Sequence, residues 1–543
     1  MNRPLRFLFV MHYPGYLRYF DSTVRLLAEH GHHVEIAFDS PEKQSEGVEA
    51  VADVDDGIEL IGRMPIRRDL WATVARGVRG SIDYVRYWHP DFADTPYLRD
   101  RMRSAVPPLL SFLGRRQTST AAAVHRWVAA LTTCEQAIPT YAPIRDFIAS
   151  RRPDAVLVTP LVTDQSPQCD VIKGAQALGI PTALCVASWD HLTTKGLIRV
   201  EPDLVAVWNQ EQQAEAMGYH GTPEDRIVVT GAQPFDKWFE RQPTSRDAFC
   251  DKVGLPGARP FILFVGSTAS ISAPDEELRF VRQWIAALRR QPELRDVSIL
   301  VRPHPYNVGH WRTAEFPDLE NVAIYPRGAN PVNENDRQDY FDSLFHCEAV
   351  VGVNTTAMIE AAIVGRTVHT VLADEFKDTQ GGTLHFRYLL AENGGFLRVA
   401  HGLEAHARQV VETLQTPDVG HAACARFVAR FIRPQGVDVP STPRLTESLE
   451  QLAAGGRRIP AVMPARLWPL RALLWLIGFV AIYKSPSRAA GTIRKELAIL
   501  KKRVKNRRKA LVRARAVRDA ADAPVPDVAT PIDDADEVTR RVG

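Results

Sequence analysis

The sequence is short of cysteine, of long apolar runs and of net positive charge outside one segment, and each shortage excludes a class of protein. Its 543 residues hold six cysteines: Cys134, Cys169, Cys185, Cys250, Cys347 and Cys424. None stands in a Cys-x-x-Cys pair or at the spacing of a zinc site, so buried thiols are expected, not a disulfide framework or a metal centre. The longest uninterrupted apolar stretch, beginning at Ala472, falls short of the ~20 residues of a bilayer-spanning helix. Residues 1–6 lead directly into Phe7-Leu8-Phe9-Val10, too short for the apolar region of a signal peptide and without a small-residue cleavage site. A cytoplasmic protein is therefore expected.

The net charge of +3 conceals an asymmetry. Residues 484–518 carry 14 Lys/Arg against Glu496 alone, while residues 519–543 carry seven acids against Arg540 and Arg541. The remaining chain is mildly acidic, so nucleic acid is not an expected partner, and the basic segment reads as a surface-binding appendage.

What is present is an alternation of short apolar runs with helical patterns. Arg6-Phe7-Leu8-Phe9-Val10-Met11 is continuous enough for a strand buried on both faces. A helical pattern led by Asp21-Ser22-Thr23 and stopped by Gly31 follows, and then a strand at residues 33–38. Residues 60–150 look mainly helical. Strands are expected again near 154–158, 181–186, 204–208 and 227–231, and after a linker at 243–260 near 261–266, 297–302, 322–325, 349–353 and 367–371. This pattern predicts an α/β protein of two successive Rossmann-like, doubly wound parallel-sheet domains, at residues 1–243 and 244–435, facing across a cleft. A helical C-terminal appendage, apolar then basic, is expected over 436–518, and a disordered acidic tail over 519–543.

Ligands of such sheets bind beyond the carboxyl ends of the strands. Three segments of the second domain qualify. Gly266-Ser267-Thr268-Ala269-Ser270 offers small residues that let backbone N–H groups approach a phosphate, or a plain turn. Arg302-Pro303-His304-Pro305 holds two donors on a stiffened backbone. Asn354-Thr355-Thr356 opens a helix, with Asn354 the expected N-cap and Glu360 placed to accept from ribose hydroxyls. Together the three would converge on one diphosphate.

In the first domain, His12-Tyr13-Pro14-Gly15-Tyr16 and Ser188-Trp189-Asp190-His191-Leu192-Thr193-Thr194-Lys195 follow strands and would face an acceptor. Asp190, His191 or His12 is the candidate base that takes the acceptor's proton. Trp189 reads as a sugar platform, with Gly15, Tyr16 and Lys195 as further acceptor contacts. Gly231 and Asp236 close the first domain as a turn and a structural residue. Asp53-Val54-Asp55 has the form of a metal-binding Asp-x-Asp but lies in a loop-like acidic stretch, so neither metal nor cofactor is expected.

The combination of Arg302-Pro303-His304-Pro305 with Asn354-Thr355-Thr356-Ala357-Met358-Ile359-Glu360-Ala361 and Gly365 resembles the donor domain of GT-B glycosyltransferases. Within them it is most similar to the branch of CDP-glycerol glycerophosphotransferases and capsule Kdo transferases, although Asn-Thr-Thr stands where that branch more often has serines. The resemblance covers roughly residues 150–400. It implies that Arg302, His304, Thr355 and Thr356 hold donor phosphate. The function it implies is metal-independent transfer from a nucleotide-activated sugar or polyol donor to a cell-surface glycan or lipid-linked acceptor. A nucleotide-sugar 2-epimerase of the same fold, or a non-catalytic nucleotide-sugar- or lipid-binding scaffold, are the alternatives.

Residues 467–518 join an apolar aromatic segment (Trp468, Trp475, Tyr483) to the basic run, with a narrow apolar stripe at Ile493, Leu497, Leu500, Val504 and Leu511. This composition predicts peripheral attachment to an anionic membrane surface on the inner leaflet.

Overall fold

The computed structural model describes residues 3–43, 57–103, 106–114, 119–316, 321–327 and 333–483. Asp53-Val54-Asp55, the basic segment from 484 and the acidic tail lie outside the described residues.

Thirteen named strands form two all-parallel sheets. In the first, β1 (Arg6–Met11), β2 (His33–Phe38), β3 (Ile58–Arg63), β4 (Ala155–Thr159), β5 (Thr182–Cys185), β6 (Leu204–Val207) and β7 (Ile227–Val229) lie in the order β3-β2-β1-β4-β5-β6-β7. In the second, β8 (Phe261–Val265), β9 (Ser298–Arg302), β10 (Val322–Ile324), β11 (Ala349–Gly352), β12 (Thr367–Val371) and β13 (Arg398–Ala400) lie in the order β10-β9-β8-β11-β12-β13. The order reverses beside β1 and β4 in one sheet and beside β8 and β11 in the other, which opens a crevice at the carboxyl ends of those strands. Two doubly wound Rossmann-like domains with their crevices on a shared cleft constitute the GT-B architecture.

The continuous apolar runs are explained by burial on both faces. Phe7, Phe9 and Met11 enter one core cluster and Leu8 and Val10 the other. Phe261, Leu263 and Val265 likewise separate from Ile262 and Phe264. Each such side chain contributes about 1.5–3 kcal/mol on burial. The cluster on one face of the second sheet also takes in Trp189, Trp208, Ala232 and Phe235 of the first domain, so the cleft has an apolar floor.

Between β3 and β4 the chain makes a helical insertion that includes helices Trp71–Arg86 and Ala121–Ala137. Buried Arg79 ties it down, pairing with Glu135 at 2.9 Å and with Asp170 at 3.0 Å. Burial alone would raise the Asp170 pKa; Arg79 and Arg67 outweigh it and hold the carboxyl well below the usual range. Removing one partner of such a group typically costs about 3–5 kcal/mol.

Part of the expected C-terminal appendage belongs to the first domain. Helix Ser441–Ala454 crosses back and buries Leu445, Leu449 and Leu452 in the core of the first sheet. Asp236 anchors its start, accepting from Ser441 N (3.0 Å), Thr442 N (2.7 Å), Thr442 Oγ1 (2.7 Å) and Arg433 Nη2 (3.1 Å). Gly231, at φ +85°, passes under the same start, where a Cβ would lie 2.1 Å from Ser441 Oγ. β3 and β13 lie outside the strands expected from the sequence: the first is an edge strand without a continuous apolar run or a fully buried residue, and the second is only three residues long.

Candidate active site in the interdomain cleft

A cavity of about 270 Å³ lies between the two sets of strand ends. Gly266, Arg302, His304, Thr355, Thr356 and Glu360 line its second-domain side. Arg18, Ser188, Lys237 and Arg241 contribute from the first domain and its exit.

Two of these walls are locked together by Gly266. A Cβ there would sit 2.7 Å from His304 N and 3.2 Å from Pro303 Cα, so only glycine lets the Arg-Pro-His-Pro turn close against the end of β8. The arrangement fixes two donors. Arg302 is buried, with Cζ 4.9 Å from the Tyr340 ring centre and Nη1 3.4 Å from the Asp339 carbonyl oxygen. Burial lowers its pKa to about 10, which still leaves a cation at neutral pH. Among the described residues no carboxylate forms an ion pair with it. His304 Nδ1 accepts from Tyr306 N at 3.1 Å, so the neutral ring keeps its proton on Nε2 and can donate it. Burial, with nearby Arg18, lowers His304 to about 4, so the ring is neutral at physiological pH.

The helix Thr356–Ile363 begins at the cavity. Its N-cap is Thr355, extended at φ −154°, ψ 150°, and no side chain caps the helix. Met358 N donates to the Thr355 carbonyl oxygen at 3.1 Å, while Thr356 and Ala357 line the cavity at the positive end of the helix dipole. Asn354, expected as the cap, points elsewhere: its Nδ2 donates to the Thr379 carbonyl oxygen at 2.6 Å. Ser267 is also turned inward and fully buried, its N–H spent on Glu277 Oε1 (2.7 Å) and its hydroxyl on the Asn354 carbonyl oxygen (3.3 Å). Thr268 does not line the cavity and exchanges a hydrogen bond with Ser270 at 2.9 Å. One turn into the helix, Glu360 accepts from the Tyr340 hydroxyl. Burial raises its pKa to about 7, against the pull of Tyr340, Arg18 and Arg302.

On the first-domain side, Ser188 reaches the cavity and the residues after it stand behind it. Asp190 accepts from Ser188 Oγ (2.6 Å) and Thr194 Oγ1 (2.9 Å). Burial works to raise its pKa, but Lys195, His191, His385 and the Ser188 hydrogen bond hold it well below the carboxylate range. His191 is buried at the start of the short helix His191–Thr194, and burial lowers it to about 4. Lys195 is half-buried on the same loop. Trp189 is no sugar platform. It is 3% exposed, its ring packs edge-on against His385 at 4.5 Å, and its Nε1 donates to Thr356 Oγ1 at 3.3 Å. Tyr16 is likewise core, packed against Tyr13 at 4.8 Å, with Gly15 in the turn before it.

His12 lies at the end of β1, beside the strand-order reversal of the first sheet. Its Nδ1 is 2.5 Å from Asp39 Oδ1, and Asp39 also accepts from Gln168 Nε2 (3.1 Å) and Ser40 Oγ (3.0 Å). A carboxylate on Nδ1 fixes the ring's orientation and leaves Nε2 as the basic nitrogen.

Several of these residues escaped the sequence reading. Asp39 directly follows β2, so the strand-end rule could have found it. Arg18, Tyr340 and His385 lie within helices and carried no local signal. Arg86, in the insertion, donates from Nη1 to the Lys195 (2.8 Å) and Gly196 (3.2 Å) carbonyl oxygens, and from Nη2 to that of Leu192. It thereby shapes the loop behind Ser188. Among the described residues, His33, Glu35 and Glu59 also come within ligand distance of one another. They sit at the amino ends of β2 and β3, away from the cleft, and Glu35 already pairs with Arg6 at 2.8 Å.

No protein-family model matches the chain, and no curated protein matches it. Solved structures similar to it include a UDP-N-acetylglucosamine 2-epimerase, at 14% identity and a TM-score of 0.48, covering 86% of this chain and 100% of that one. A glycosyltransferase from Rickettsia africae ESF-5 is similar at 11% identity and a TM-score of 0.47, covering 83% and 99%. The UDP-GlcNAc 2-epimerase from Neisseria meningitidis, bound to UDP-GlcNAc, is similar at 11% and 0.46, covering 82% and 100%. At these values the likeness is one of chain outline, and the chemistry of the site rests on its own residues.

Proposed function

We propose that the chain is a metal-independent GT-B transferase. It moves a sugar or polyol group from a nucleotide-activated donor to a cell-surface glycan or lipid-linked acceptor. The observation that carries this reading is the convergence on one cavity of Arg302, the Nε2–H of His304 and the uncapped helix start at Thr355 and Thr356, with Glu360 one turn further along. Cation, neutral donor and helix dipole suit a diphosphate. A carboxylate beyond them suits the hydroxyls of the attached ribose.

In the reaction the acceptor hydroxyl oxygen forms a bond to the donor's reacting centre as that centre's bond to the diphosphate oxygen breaks. The nucleotide leaves with the electron pair, and Arg302, His304 and the helix N–H groups stabilise the charge it gains. The hydroxyl proton passes to a base. None of the three candidates lines the cavity, and we favour His12 among them because Asp39 orients its ring. Asp190 has both carboxylate oxygens engaged by its own loop, and His191 is buried with it. The reading places the enzyme at the cytoplasmic face of a membrane, where nucleotide donors and lipid-linked acceptors meet.

The test is nucleotide binding by the full chain, with Arg302→Gln as control. The reading predicts binding of a nucleoside diphosphate that the substitution abolishes without unfolding the protein.

A further inference from the structure

Helix Trp468–Tyr483 is amphipathic in the wrong sense for a helix in water. Its one charged residue, Arg471, lies on the inward side, where Nε donates to the Ala137 carbonyl oxygen at 2.7 Å. Leu467, Leu470 and Leu474 share that side and pack against Val74, Val78 and Ile138 of the insertion. Side chains at these spacings occupy a single stripe. The remaining arc carries Trp468, Leu473, Trp475, Leu476 and Ile477, which are 47–60% exposed, and no polar side chain. The neighbouring helix Ala121–Ala137 packs Val128 and Leu131 into the same cluster and leaves Trp127 45% exposed. A helix mounted on a soluble body normally turns its polar side outward, and an apolar surface of this extent marks an interaction site.

We infer that the exposed arc of this helix, together with Trp127, is a lipid-docking face that lays the folded body on an anionic membrane. For the side of the membrane the inference rests on the function proposed above; for the contact it rests on this helix alone. Three observations select lipid. Arg471 and Lys484 bound the apolar run of residues 472–483, which falls short of the ~20 residues of a bilayer-spanning helix and suits one lying in the interface. Trp468 and Trp475 are side chains that favour the headgroup region. The sequence that follows carries 14 Lys/Arg against one acid over residues 484–518, which complements anionic headgroups. A second copy of the chain carries the same excess of positive charge in its sequence and offers it no complement. Because the inward stripe is packed on the insertion, docking holds the whole body in one orientation to the membrane instead of tethering it by a loose tail.

Flotation of the full chain with vesicles tests this, using about 30 mol% phosphatidylglycerol in phosphatidylcholine at low and high salt. The comparison is Trp468→Ser/Trp475→Ser/Ile477→Ser, three outward positions whose loss leaves the packed stripe intact. The wild type should float, with a salt-resistant fraction carried by the apolar arc. The triple variant should melt at the same temperature and partition at least about tenfold less. The inference is overturned if the wild type fails to float or if the variant floats as well as the wild type. It is overturned equally if the wild type is a dimer that these substitutions convert to monomer. Flotation requires no donor, so its failure is separable from failure of nucleotide binding in the cleft.

Discussion

Trp189 Nε1 donates to Thr356 Oγ1 at 3.3 Å, joining the loop after β5 in the first domain to the first turn of the cleft helix in the second. Thr356 is one of the residues proposed to hold donor phosphate, and Trp189 directly precedes Asp190. The contact thus connects the second-domain wall of the cavity to the loop behind its first-domain wall.

Trp189→Phe keeps the ring in the apolar floor and removes only this donor. The expected loss is about 1 kcal/mol of stability, the ordinary net value of a hydrogen bond. A several-fold weaker nucleotide affinity should accompany it, because Thr356 loses its fixed rotamer. Thermal unfolding and nucleotide titration of the variant read both effects.

The pair His12–Asp39 gives a kinetic prediction. His12→Ala should reduce nucleotide release from the donor in the presence of acceptor by about 10²–10⁴-fold while leaving nucleotide affinity unchanged. Asp39→Asn should reduce kcat with little change in KM for the donor, because the ring loses its orienting carboxylate and not its contact with the nucleotide. An unchanged rate in either variant would move the base to Asp190 or His191.

Stability should fall on the alkaline side of neutrality. Burial raises Glu277 and Glu360 to about 7 and Glu215 to about 8. A carboxyl whose folded pKa exceeds its unfolded value contributes stability that is fully present below about 4.5 and lost as pH rises through the folded value. Burial also lowers His191, His304 and His385 to about 4, and their contribution is present above about 6.5 and lost as pH falls toward 4. The protein without ligand should therefore be most stable near pH 6.5 and lose on the order of 2–3 kcal/mol by pH 8. Glu215→Gln, which retains a hydrogen-bond partner for Tyr388, should flatten that decline in melting curves taken at the two pH values.

The fold was legible to the extent that local pattern fixes it. Runs such as Phe7–Met11 and Phe261–Val265 must be strands buried on both faces, and the helical patterns between them force a parallel sheet. The edge strand Ile58–Arg63 and the three-residue strand Arg398–Ala400 lack such runs and become strands only through the neighbours they pair with. Helix Ser441–Ala454 reads as part of an appendage until Leu445 and Leu449 are seen in the first core.

At the cleft, sequence indicated which residues follow strands but not whether their polar atoms were free. Ser267 is engaged by Glu277, ten residues on, and Asn354 by Thr379, twenty-five residues on. Trp189 has the composition of a sugar platform, yet His385 and Thr356 enclose it. Arg302, His304, Thr355, Thr356 and Glu360 could be foreseen because strand ends and a helix start place them whatever their neighbours do.

A nucleotide screen by thermal shift reads the proposed donor site, comparing the wild-type chain with Arg302→Gln and His304→Ala against UDP, GDP, CDP and ADP. A ligand bound only by the native state raises the melting point by mass action. A donor site built on Arg302 and His304 gives a rise with at least one nucleoside diphosphate, abolished by Arg302→Gln and weakened by His304→Ala. No rise with any nucleotide, or a rise that survives Arg302→Gln, would contradict it.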